Sequence, residues 1–242
     1  MDLTILIPVK NEEDNIALII NKIESIKISF KYEILFINDY SDDNTIKEIE
    51  KYKRSRSNIN LINNKKLGLG ESVRNGIKYS KGIYLSIIMC DGSDDLDDLK
   101  KYIDLIKSEN LDAVFGSRFL KESKISGYPK IKFILNRIFN YFISIIYLNK
   151  YNDFTNAFKI YKKEVLQKIE PIVSESFNVF LELPLKIINR NYKYKIISIN
   201  WLGRKYGSSK FKFNELKSKY IFTLIYCFAE KILLLKKNEN NK

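Results

Sequence analysis

Histidine is absent from this 242-residue chain, and cysteine, proline and glycine are scarce at two, four and nine residues. Without histidine, the chain cannot build a Ser-His-Asp or Cys-His catalytic apparatus or a histidine-ligated zinc site. Cys90 and Cys227 both lie in apolar runs, which favours two buried thiols over a disulfide framework. Proton transfer and metal binding therefore fall to carboxylates, amides, hydroxyls, lysine and arginine.

Long uninterrupted apolar runs are also missing. The most apolar stretch, residues 131–148, is broken by two basic and two amide residues, whereas a membrane span needs about 20 nearly uncharged residues. The apolar start, residues 3–9, is too short for a signal peptide and is followed by charged residues. We therefore expect a cytoplasmic protein, and the hydrophobic content of 45% is sufficient for a folded core.

Charge is unevenly distributed along the chain. Residues 1–118 carry 18 Lys and Arg against 20 Asp and Glu, whereas residues 119–242 carry 24 against 9, and the whole chain has a formal net charge of +13. A near-neutral first half and a basic second half predict two surfaces with different partners. Nucleic acid, anionic lipid and a phosphorylated substrate all fit the basic half on charge alone.

The first half alternates short apolar runs with stretches of helical periodicity. The apolar runs predict five strands, at residues 3–9, 32–39, 59–64, 83–91 and 112–118. The stretches between them predict four helices, at residues 12–26, 45–53, 70–80 and 96–108. This alternation predicts an α/β fold in which a mostly parallel sheet is flanked by helices.

Polar residues cluster where the predicted strands end. The clusters are residues 8–12, 38–43, 91–95 and 116–118. Ordinary turns and helix caps also use Asp, Asn, Ser and Gly, but that explanation is weaker for three acidic or amide-rich clusters at one edge. Because open parallel sheets bind ligands beyond the carboxyl ends of their strands, the pattern predicts a single binding crevice.

The second half contains longer helical patterns. Residues 153–165 predict a turn, a short strand and a helix, residues 193–201 predict a strand, and long helices are predicted at residues 131–148, 176–189 and 219–235. The first and last of these helices are rich in Phe, Tyr, Ile and Lys. That composition fits a membrane interface and a core helix equally well, so the sequence leaves both interpretations open.

Five segments of the first half resemble, in order, the motifs of family 2 glycosyltransferases. They match the first strand and turn, the Asp-Asp-x-Ser-x-Asp-x-Thr motif, a glycine-containing loop, the Asp-x-Asp motif and a Gly-Ser-Arg strand end. In this chain they read ILIPVKNEEDNI (residues 5–16), FINDYSDDNT (36–45), KLGLGESVRNGI (66–77), IIMCDGSDD (87–95) and VFGSRF (114–119). Asn38 and Met89 stand where that pattern usually has Asp.

Three segments of the second half resemble the polyprenyl-phosphate (dolichol-phosphate) sugar transferases of that family. They are NDFTNAFKIYKKEVL (residues 152–166), in which Asn156 and Ala157 replace the usual Ser-Gly, FLELPLKIINRNYK (180–193) and RKYGSSKF (204–211). The resemblance implies a GT-A fold, the nucleotide-diphospho-sugar transferase fold, over residues 1–212. It also implies a nucleotide-sugar half at 1–118, an acceptor half at 119–212, and an amphipathic helix with a basic tail at 213–242.

The resemblance further implies a site for the nucleotide sugar. Asn38 or Asp39 would accept hydrogen bonds from a base N–H and from ribose hydroxyls, and Pro8 with the backbone that follows would wall the base. The residues assigned to this site are Pro8, Val9, Lys10, Glu12, Asn38, Asp39 and Gly68.

A divalent cation, Mg²⁺ or Mn²⁺, is implied because the leaving diphosphate carries negative charge and hard carboxylate oxygens suit these ions. Asp91 is the expected principal ligand and a catalytic residue, and Asp94 is the expected second ligand. The acidic run also fits an ordinary helix N-terminus, where the helix dipole favours Asp.

A phosphate acceptor is already anionic, so it needs positioning cations more than a general base. The resemblance assigns this role to Arg118, Lys132 and the catalytic Arg204, with Ser209 and Lys210 as further binding residues of the Arg204 loop. Asp153, as a catalytic residue, and Glu182, as a binding residue, would orient a sugar hydroxyl or a basic partner. A structural salt bridge remains equally open for both.

The sequence therefore predicts an inverting enzyme that moves a sugar from a nucleotide-diphosphate sugar to a polyprenyl phosphate, peripheral on the cytoplasmic membrane face. A first alternative is transfer to a glycan hydroxyl in surface polysaccharide synthesis, with Asp153 or Glu182 as the base. A second, a non-catalytic basic protein that binds membrane or nucleic acid, explains the charge but not the acidic strand ends. We therefore expect no nucleic-acid partner.

Overall fold

The computed structural model describes residues 1–203 and 213–239. Seven strands form its main sheet and two short ones pair separately. In chain order they are β1 (Leu3–Val9), β2 (Tyr32–Asn38), β3 (Ile59–Asn63), β4 (Tyr84–Ile87), β5 (Ala113–Ser117), β6 (Ile125–Ser126), β7 (Lys159–Lys162), β8 (Tyr194–Ser198) and β9 (Trp201–Leu202). The order across the main sheet is β3-β2-β1-β4-β7-β5-β8, and β6 pairs with β9.

Eight helices accompany these strands in the described part of the chain. They are α1 (Glu13–Ser25), α2 (Thr45–Lys53), α3 (Leu69–Tyr79), α4 (Asp97–Ser108), α5 (Lys130–Tyr147), α6 (Lys163–Lys168), α7 (Val179–Asn189) and α8 (Phe213–Glu239). The predicted α/β class and mostly parallel sheet are confirmed, because β7 alone runs antiparallel to its neighbours in that sheet.

Strand β7 joins the two halves of the chain. It comes from the second half but lies between β4 and β5 of the first half, and β8 extends the sheet beyond β5. Residues 1–118 and 119–203 therefore share one sheet. The division of the chain at residue 212 stays a prediction, although α8 already contributes Tyr220, Leu224 and Cys227 to the buried core.

The sheet separates two apolar clusters. Successive residues of a strand point to opposite faces, so Leu6 and Leu35 pack in one cluster while Ile5 and Ile34 pack in the other. All seven residues of β1 are buried, as expected for a strand covered by helices on both faces. This rigid centre fixes the positions of the strand ends.

Two predicted strands are shorter in the structure. The strand expected at residues 83–91 ends at Ile87, since the chain leaves the sheet and turns at Gly92, whose φ is +67°. The strand expected at residues 193–201 splits into β8 and β9. At Asn200, between them, the backbone N–H donates to Asp98 (2.8 Å) and the side chain to Asp95 (3.1 Å). Both breaks lie next to the acidic residues at positions 91–98, which follow β4.

Within residues 1–203 and 213–239, no helix is both long enough and apolar enough to cross a bilayer.

Candidate active site

The ends of β1, β2 and β3 lie side by side. Val9 is in register with Asn38, and Asn38 with Asn63. The residues that follow these strands therefore meet at one edge, which we call the β1–β3 edge. The structure brings together Pro8, Val9, Lys10, Glu12, Asn38, Asp39 and Gly68 here, and their contact with a nucleotide sugar stays a prediction.

Asp39 is the centre of the β1–β3 edge. It is 8% exposed, and its backbone N–H donates to the carbonyl of Val9 (2.8 Å). Its Oδ1 accepts hydrogen bonds from the N–H of Gly68 (2.7 Å) and from the amide of Asn64 (3.0 Å). One carboxylate thus fixes the glycine loop against β1 and β2, while its other oxygen takes part in none of these bonds.

Asn38 is also buried, and its amide joins neighbouring segments. Its Nδ2 donates to Oδ1 of Asn63 (2.9 Å), and its Oδ1 accepts from the backbone N–H of Ser41 (3.1 Å). The amide therefore holds the end of β3 and the turn after β2 in place. Whether it also contacts a base or ribose stays a prediction.

The turn after β1 is locked to the turn after β2. Asn11 has a φ of +52°, and its N–H donates to the hydroxyl of Ser41 (3.0 Å). The N–H of Glu12 donates to the hydroxyl of Thr45 (2.8 Å), and Thr45 in turn bonds Asp43. Burial raises the pKa of Asp43, but hydrogen bonds from Thr45 and Glu13 lower it below its ordinary value overall. The Ser-x-Asp-x-Thr spacing thus has a structural role that sequence reasoning missed.

The acidic turn after β4 carries Asp91 and Asp94. Asp91 is partly buried and its Oδ1 accepts from the N–H of Ser93 (3.1 Å), whereas Asp94 is 4% exposed. Lys22 on α1 donates to the carbonyls of Gly92 (2.9 Å) and Asp94 (2.5 Å). The acidic turn is therefore fixed by a lysine 70 residues away, which no sequence pattern indicated.

The charges in the acidic turn are poorly balanced. Burial, and next the charge of Asp91, raise the pKa of Asp94 to about 7, while Arg118 and Lys22 act in the opposite direction. Its Oδ2 is buried without a hydrogen-bond partner among the described residues, and so is the hydroxyl of Ser93. Native proteins rarely leave such groups unpaired without a reason, and a bound ion is one.

These oxygens fit a hard divalent cation. No group of three or more acidic or cysteine side chains that could enclose a metal occurs in residues 1–203 and 213–239. A site with two carboxylates is nevertheless ordinary for Mg²⁺, because this ion is commonly bound by one or two carboxylates plus substrate phosphates. Asp91 and Asp94 are the residues that would hold it.

Arg118 and Asp153 form a buried ion pair beyond β5. The Asp153 carboxylate accepts from Nε (2.8 Å), a terminal nitrogen (2.7 Å) and the backbone N–H (2.9 Å) of Arg118. Asp153 is fully buried and Arg118 is 8% exposed. Although burial lowers the pKa of Arg118, Asp153 raises it above its ordinary value, so the guanidinium stays charged. The ion pair fits both the orienting of a basic partner and the structural salt bridge that the sequence left open for Asp153, and its catalytic role stays a prediction.

A cavity of about 480 Å³ opens in front of Arg118, and we call it the arginine cavity. Arg137 on α5 also lines it and lies over the ring of Phe119 at 4.8 Å, although the sequence analysis gave Arg137 no role. The full lining is Arg118, Phe119, Leu120, Ser123, Ile125, Gly127, Tyr128, Phe133 and Arg137. Lys132 is not among these residues and is exposed on the first turns of α5.

Of the roles expected for Glu182, the structure shows a contact with a basic partner, Lys186, whereas contact with a substrate stays a prediction. It is fully buried on α7, and its two oxygens accept from the backbone N–H groups of Val173 (2.9 Å) and Ser174 (2.7 Å). Lys186 lies 3.7 Å away on the next turn of the helix. The apolar residues on both sides of Glu182 in the sequence were the available signal for burial.

Lys159 is a second buried charge that the sequence did not reveal. It lies on β7 with no exposure, and its Nζ donates to the carbonyls of Phe154 (3.1 Å), Phe180 (3.4 Å) and Asn156. Burial lowers its pKa to about 7 against the opposing effect of Asp153. Lys159 therefore supports the turn that carries Asp153.

The remaining predicted residues, Arg204, Ser209 and Lys210, lie outside the described residues. The described chain reaches Gly203, just after β9. There the N–H of Leu202 donates to the carbonyl of Ser93 in the acidic turn (2.9 Å).

Known structures with a similar fold include glucosyl-3-phosphoglycerate synthase from Mycobacterium tuberculosis. Its complex with Mn²⁺, UDP-glucose and phosphoglyceric acid has a TM-score of 0.69 and 13% identity, covering 94% of this chain and 80% of that one. Its complex with Mg²⁺ and UDP has a TM-score of 0.70 and 14% identity, covering 94% and 79%. At this identity the likeness establishes the GT-A fold alone.

Curated relatives extend the comparison to sequence. The chain is 26% identical to dolichyl-phosphate beta-glucosyltransferase of Dictyostelium discoideum, covering 82% of this chain and 66% of that protein. It is 23% identical to polyprenol monophosphomannose synthase of Mycolicibacterium smegmatis (88% and 82%) and 26% identical to dolichol-phosphate mannosyltransferase of Pyrococcus furiosus (92% and 61%). The chain thus spans just under two thirds of the first relative and less of the third.

The sequence profile described as Glycosyl transferase family 2 matches residues 4–170. This range contains the β1–β3 edge, the acidic turn and the Arg118–Asp153 pair. Since the match covers more than half of the chain, the protein belongs to glycosyl transferase family 2.

Proposed function

We propose that this protein transfers a sugar, with inversion, from a nucleotide-diphosphate sugar to a polyprenyl phosphate. In this proposal the β1–β3 edge is the nucleotide side, and the Arg118–Asp153 pair with the arginine cavity is the acceptor side. The observation that carries the proposal is the buried guanidinium of Arg118, held by Asp153 at the end of a cavity that contains a second arginine. Three curated relatives named as polyprenol- or dolichol-phosphate sugar transferases support the same acceptor class.

The residues fit a single displacement. An oxygen of the acceptor phosphate attacks the anomeric carbon as the bond from that carbon to the diphosphate breaks, and the nucleoside diphosphate leaves with the electron pair. Arg118 would hold the incoming phosphate, because a fixed guanidinium makes strong charge-assisted bonds to phosphate oxygens. A divalent cation on Asp91 and Asp94 would neutralise the charge that develops on the leaving group.

This geometry suits a glycan hydroxyl less well than a phosphate as the acceptor. Such an acceptor must lose a proton, which a general base within hydrogen-bond reach would take. The two carboxylates that the sequence offered for that task, Asp153 and Glu182, are fully buried and bound to Arg118 and to two backbone N–H groups. A phosphate acceptor needs no such base.

The surface of α5 and α8 supports peripheral membrane contact. The polar side of α5 faces the protein, where Asn140 is fully buried and the side-chain amide of Asn136 donates a hydrogen bond to the hydroxyl of Tyr128 (3.2 Å). The outward side is apolar instead. We define the apolar face as Ile131, Ile134, Leu135, Ile138, Tyr141, Phe142, Ile145 and Leu148 together with Ile221, Phe222, Ile225, Phe228, Ile232, Leu233 and Leu235, all of them exposed.

The two helices of the apolar face pack together. Phe139 lies against Tyr220 with ring centroids 5.5 Å apart, and the hydroxyl of Tyr147 donates to the carbonyl of Leu224 (3.2 Å). Many exposed apolar side chains on two helices that pack together mark an interaction site. With many lysines in the same half of the chain, it suits the surface of a bilayer that contains anionic lipid.

The function is tested with a labelled nucleotide sugar and a membrane extract. Label should pass to a product that partitions into organic solvent, and Arg118→Gln should abolish this transfer while nucleotide binding persists. Label that enters water-soluble glycan instead would favour the hydroxyl acceptor.

Membrane contact is tested by cosedimentation with anionic liposomes. Ile138→Asp should weaken liposome binding, whereas Leu18→Asp, which changes an exposed apolar residue on α1, should not.

A further inference from the structure

Glu182 lies far along the chain from the nucleotide side, yet a short segment connects the two. Its carboxylate is the shared acceptor for the backbone N–H groups of Val173 and Ser174, at 2.9 and 2.7 Å. Two N–H groups that converge on one fully buried carboxylate fix the position of the segment that contains them. Lys186 offsets the buried negative charge at 3.7 Å.

The segment held by Glu182 lies directly on the glycine loop. The N–H of Gly70 donates to the carbonyl of Glu175 (3.0 Å). A Cβ at Gly70 would stand 1.9 Å from the carbonyl oxygen of Ser174, and a Cβ at Gly68 would stand 2.6 Å from that of Glu175. Such close approach of two backbones requires glycine. The position of the 173–175 segment therefore fixes the position of the loop.

A second contact keeps the segment on the loop. Arg74 on α3 donates to the carbonyls of Ile172 (3.0 Å) and Ser174 (2.8 Å), and it is itself paired with Glu71. The segment is thus held by Glu182 through its N–H groups and by Arg74 of α3 through its carbonyls. Among the described residues, Glu182 is the sole side chain that accepts hydrogen bonds from the N–H groups of both Val173 and Ser174.

The glycine loop in turn orients Asp39, because the N–H of Gly68 donates to its Oδ1 (2.7 Å). We infer that Glu182 is a positioning residue for the nucleotide side: it holds residues 173–175 against Gly68 and Gly70, and Gly68 orients the carboxylate of Asp39. The inference rests on the proposed function, in which Asp39 contacts the nucleoside. It assigns Glu182, a residue of the second half, to the nucleoside diphosphate and not to the acceptor.

The test compares Glu182→Gln with Glu230→Gln by calorimetric titration of the full chain with UDP and GDP. A glutamine has one acceptor oxygen, and its amide nitrogen would meet an N–H of the segment. Glu182→Gln should therefore weaken binding of the nucleotide that the wild type prefers by about tenfold. Glu230 belongs to the same ion network, since it pairs with Lys186 (3.6 Å) and Arg190 (2.5 Å), but it has no hydrogen bond to residues 173–175. Glu230→Gln should bind nucleotide as the wild type does.

Two further measurements separate positioning from general destabilisation. At saturating nucleotide sugar, the KM of Glu182→Gln for the acceptor should equal that of the wild type. Gly70→Ala, which displaces the segment from the opposite side, should show the same loss of nucleotide affinity. If Glu182→Gln fails to fold, the affinity of Gly70→Ala tests whether the position of residues 173–175 controls nucleotide binding. Equal losses in Glu182→Gln and Glu230→Gln, wild-type affinity in Gly70→Ala, or a raised acceptor KM would each overturn the inference. A wild type that binds neither nucleotide would instead refute the proposed function.

Discussion

The nucleotide side and the acceptor side are built by different means. On the nucleotide side, short polar side chains such as Asn38 and Asp39 bond to neighbouring backbone and to each other. On the acceptor side, long charged side chains are buried. Arg118 is held by Asp153, and Lys159 donates to the carbonyl of Phe154, next to Asp153 in the chain. The first arrangement fixes the shape of a binding surface, and the second fixes the position of a positive charge.

This difference matches what each ligand requires. A base and ribose present N–H and O–H groups that must be met at set angles, so a rigid network of small polar groups suits them. A phosphate carries charge that a guanidinium recognises even when little else is shared. Burying such a cation is costly unless a partner compensates it, which explains why Asp153 is sealed inside the protein.

The largest expected loss of turnover follows from a substitution in the acidic turn, which lies between the two sides. Asp91→Ala should lower kcat by about a hundredfold or more, because a carboxylate ligand of the metal that stabilises the leaving diphosphate is lost. The fold should survive, since Asp91 is only partly buried. Turnover is measured at saturating Mn²⁺ or Mg²⁺, with Asp97→Ala, an exposed acidic residue paired with Lys100, as the matched control. Near wild-type turnover in Asp91→Ala would refute the metal assignment.

The free energy of unfolding is expected to depend on pH through Lys159, on the acceptor side. Burial lowers the pKa of Lys159 to about 7 from its ordinary value of 10.5. Between these values the unfolded chain binds more protons than the folded one, so this lysine makes the free energy of unfolding rise with pH. The contribution is up to about 1.4 kcal/mol per pH unit. Denaturant titrations at pH 7 and 9 should therefore show a smaller increase in Lys159→Met than in the wild type. Parallel increases in both proteins would mean that Lys159 does not titrate in this range.

The strand ends of the first half could be predicted from the sequence, because apolar runs bounded by Asn, Asp and Gly mark where buried strands stop. The same reasoning could not place Lys159. Its position between Phe158 and Ile160 predicts a strand, but nothing local shows that this strand enters the middle of the sheet antiparallel to its neighbours. Likewise, Lys22 supports the acidic turn only through a contact that folding creates.

Glu182 shows a different limit of sequence reasoning. Its position within a motif indicated that the residue matters, but not which ligand it serves. Burial and the bonds to Val173 and Ser174 became visible only in three dimensions, and they direct its effect to the opposite side of the site. A motif therefore identified the residue, whereas packing determined its role.

A smaller effect is expected at the exposed cation of α5. Lys132→Ala should raise the acceptor KM by about tenfold, the loss of one charge-assisted hydrogen bond to phosphate, while nucleotide affinity is unchanged. Lys130→Ala, two residues earlier on the same helix and also exposed, is the matched control. Equal KM values for both variants and the wild type would show that Lys132 makes no contact with the acceptor, whose phosphate would then be held by Arg118 and Arg137, the arginines that line the arginine cavity.

The smallest effect is expected on the nucleotide side, for Asn38→Asp. The new carboxylate still accepts from the N–H of Ser41, but it cannot donate to Asn63 as the Asn38 amide does at 2.9 Å. Asn63 is exposed, so its amide is free to rotate and donate its own N–H to the new carboxylate. The free energy of unfolding should therefore change by less than about 1 kcal/mol.

Nucleotide affinity provides the second readout for Asn38→Asp. A carboxylate is a stronger acceptor than an amide for N–H and O–H groups, so affinity should be equal to that of the wild type or higher. Asn38→Leu, similar in size but without polar atoms, is the matched control and should lose both the Asn63 and the Ser41 contact. If Asn38→Asp and Asn38→Leu weaken nucleotide binding alike, the Asn38 amide is required as a donor, and the rigid polar network tolerates less change than the acceptor side does.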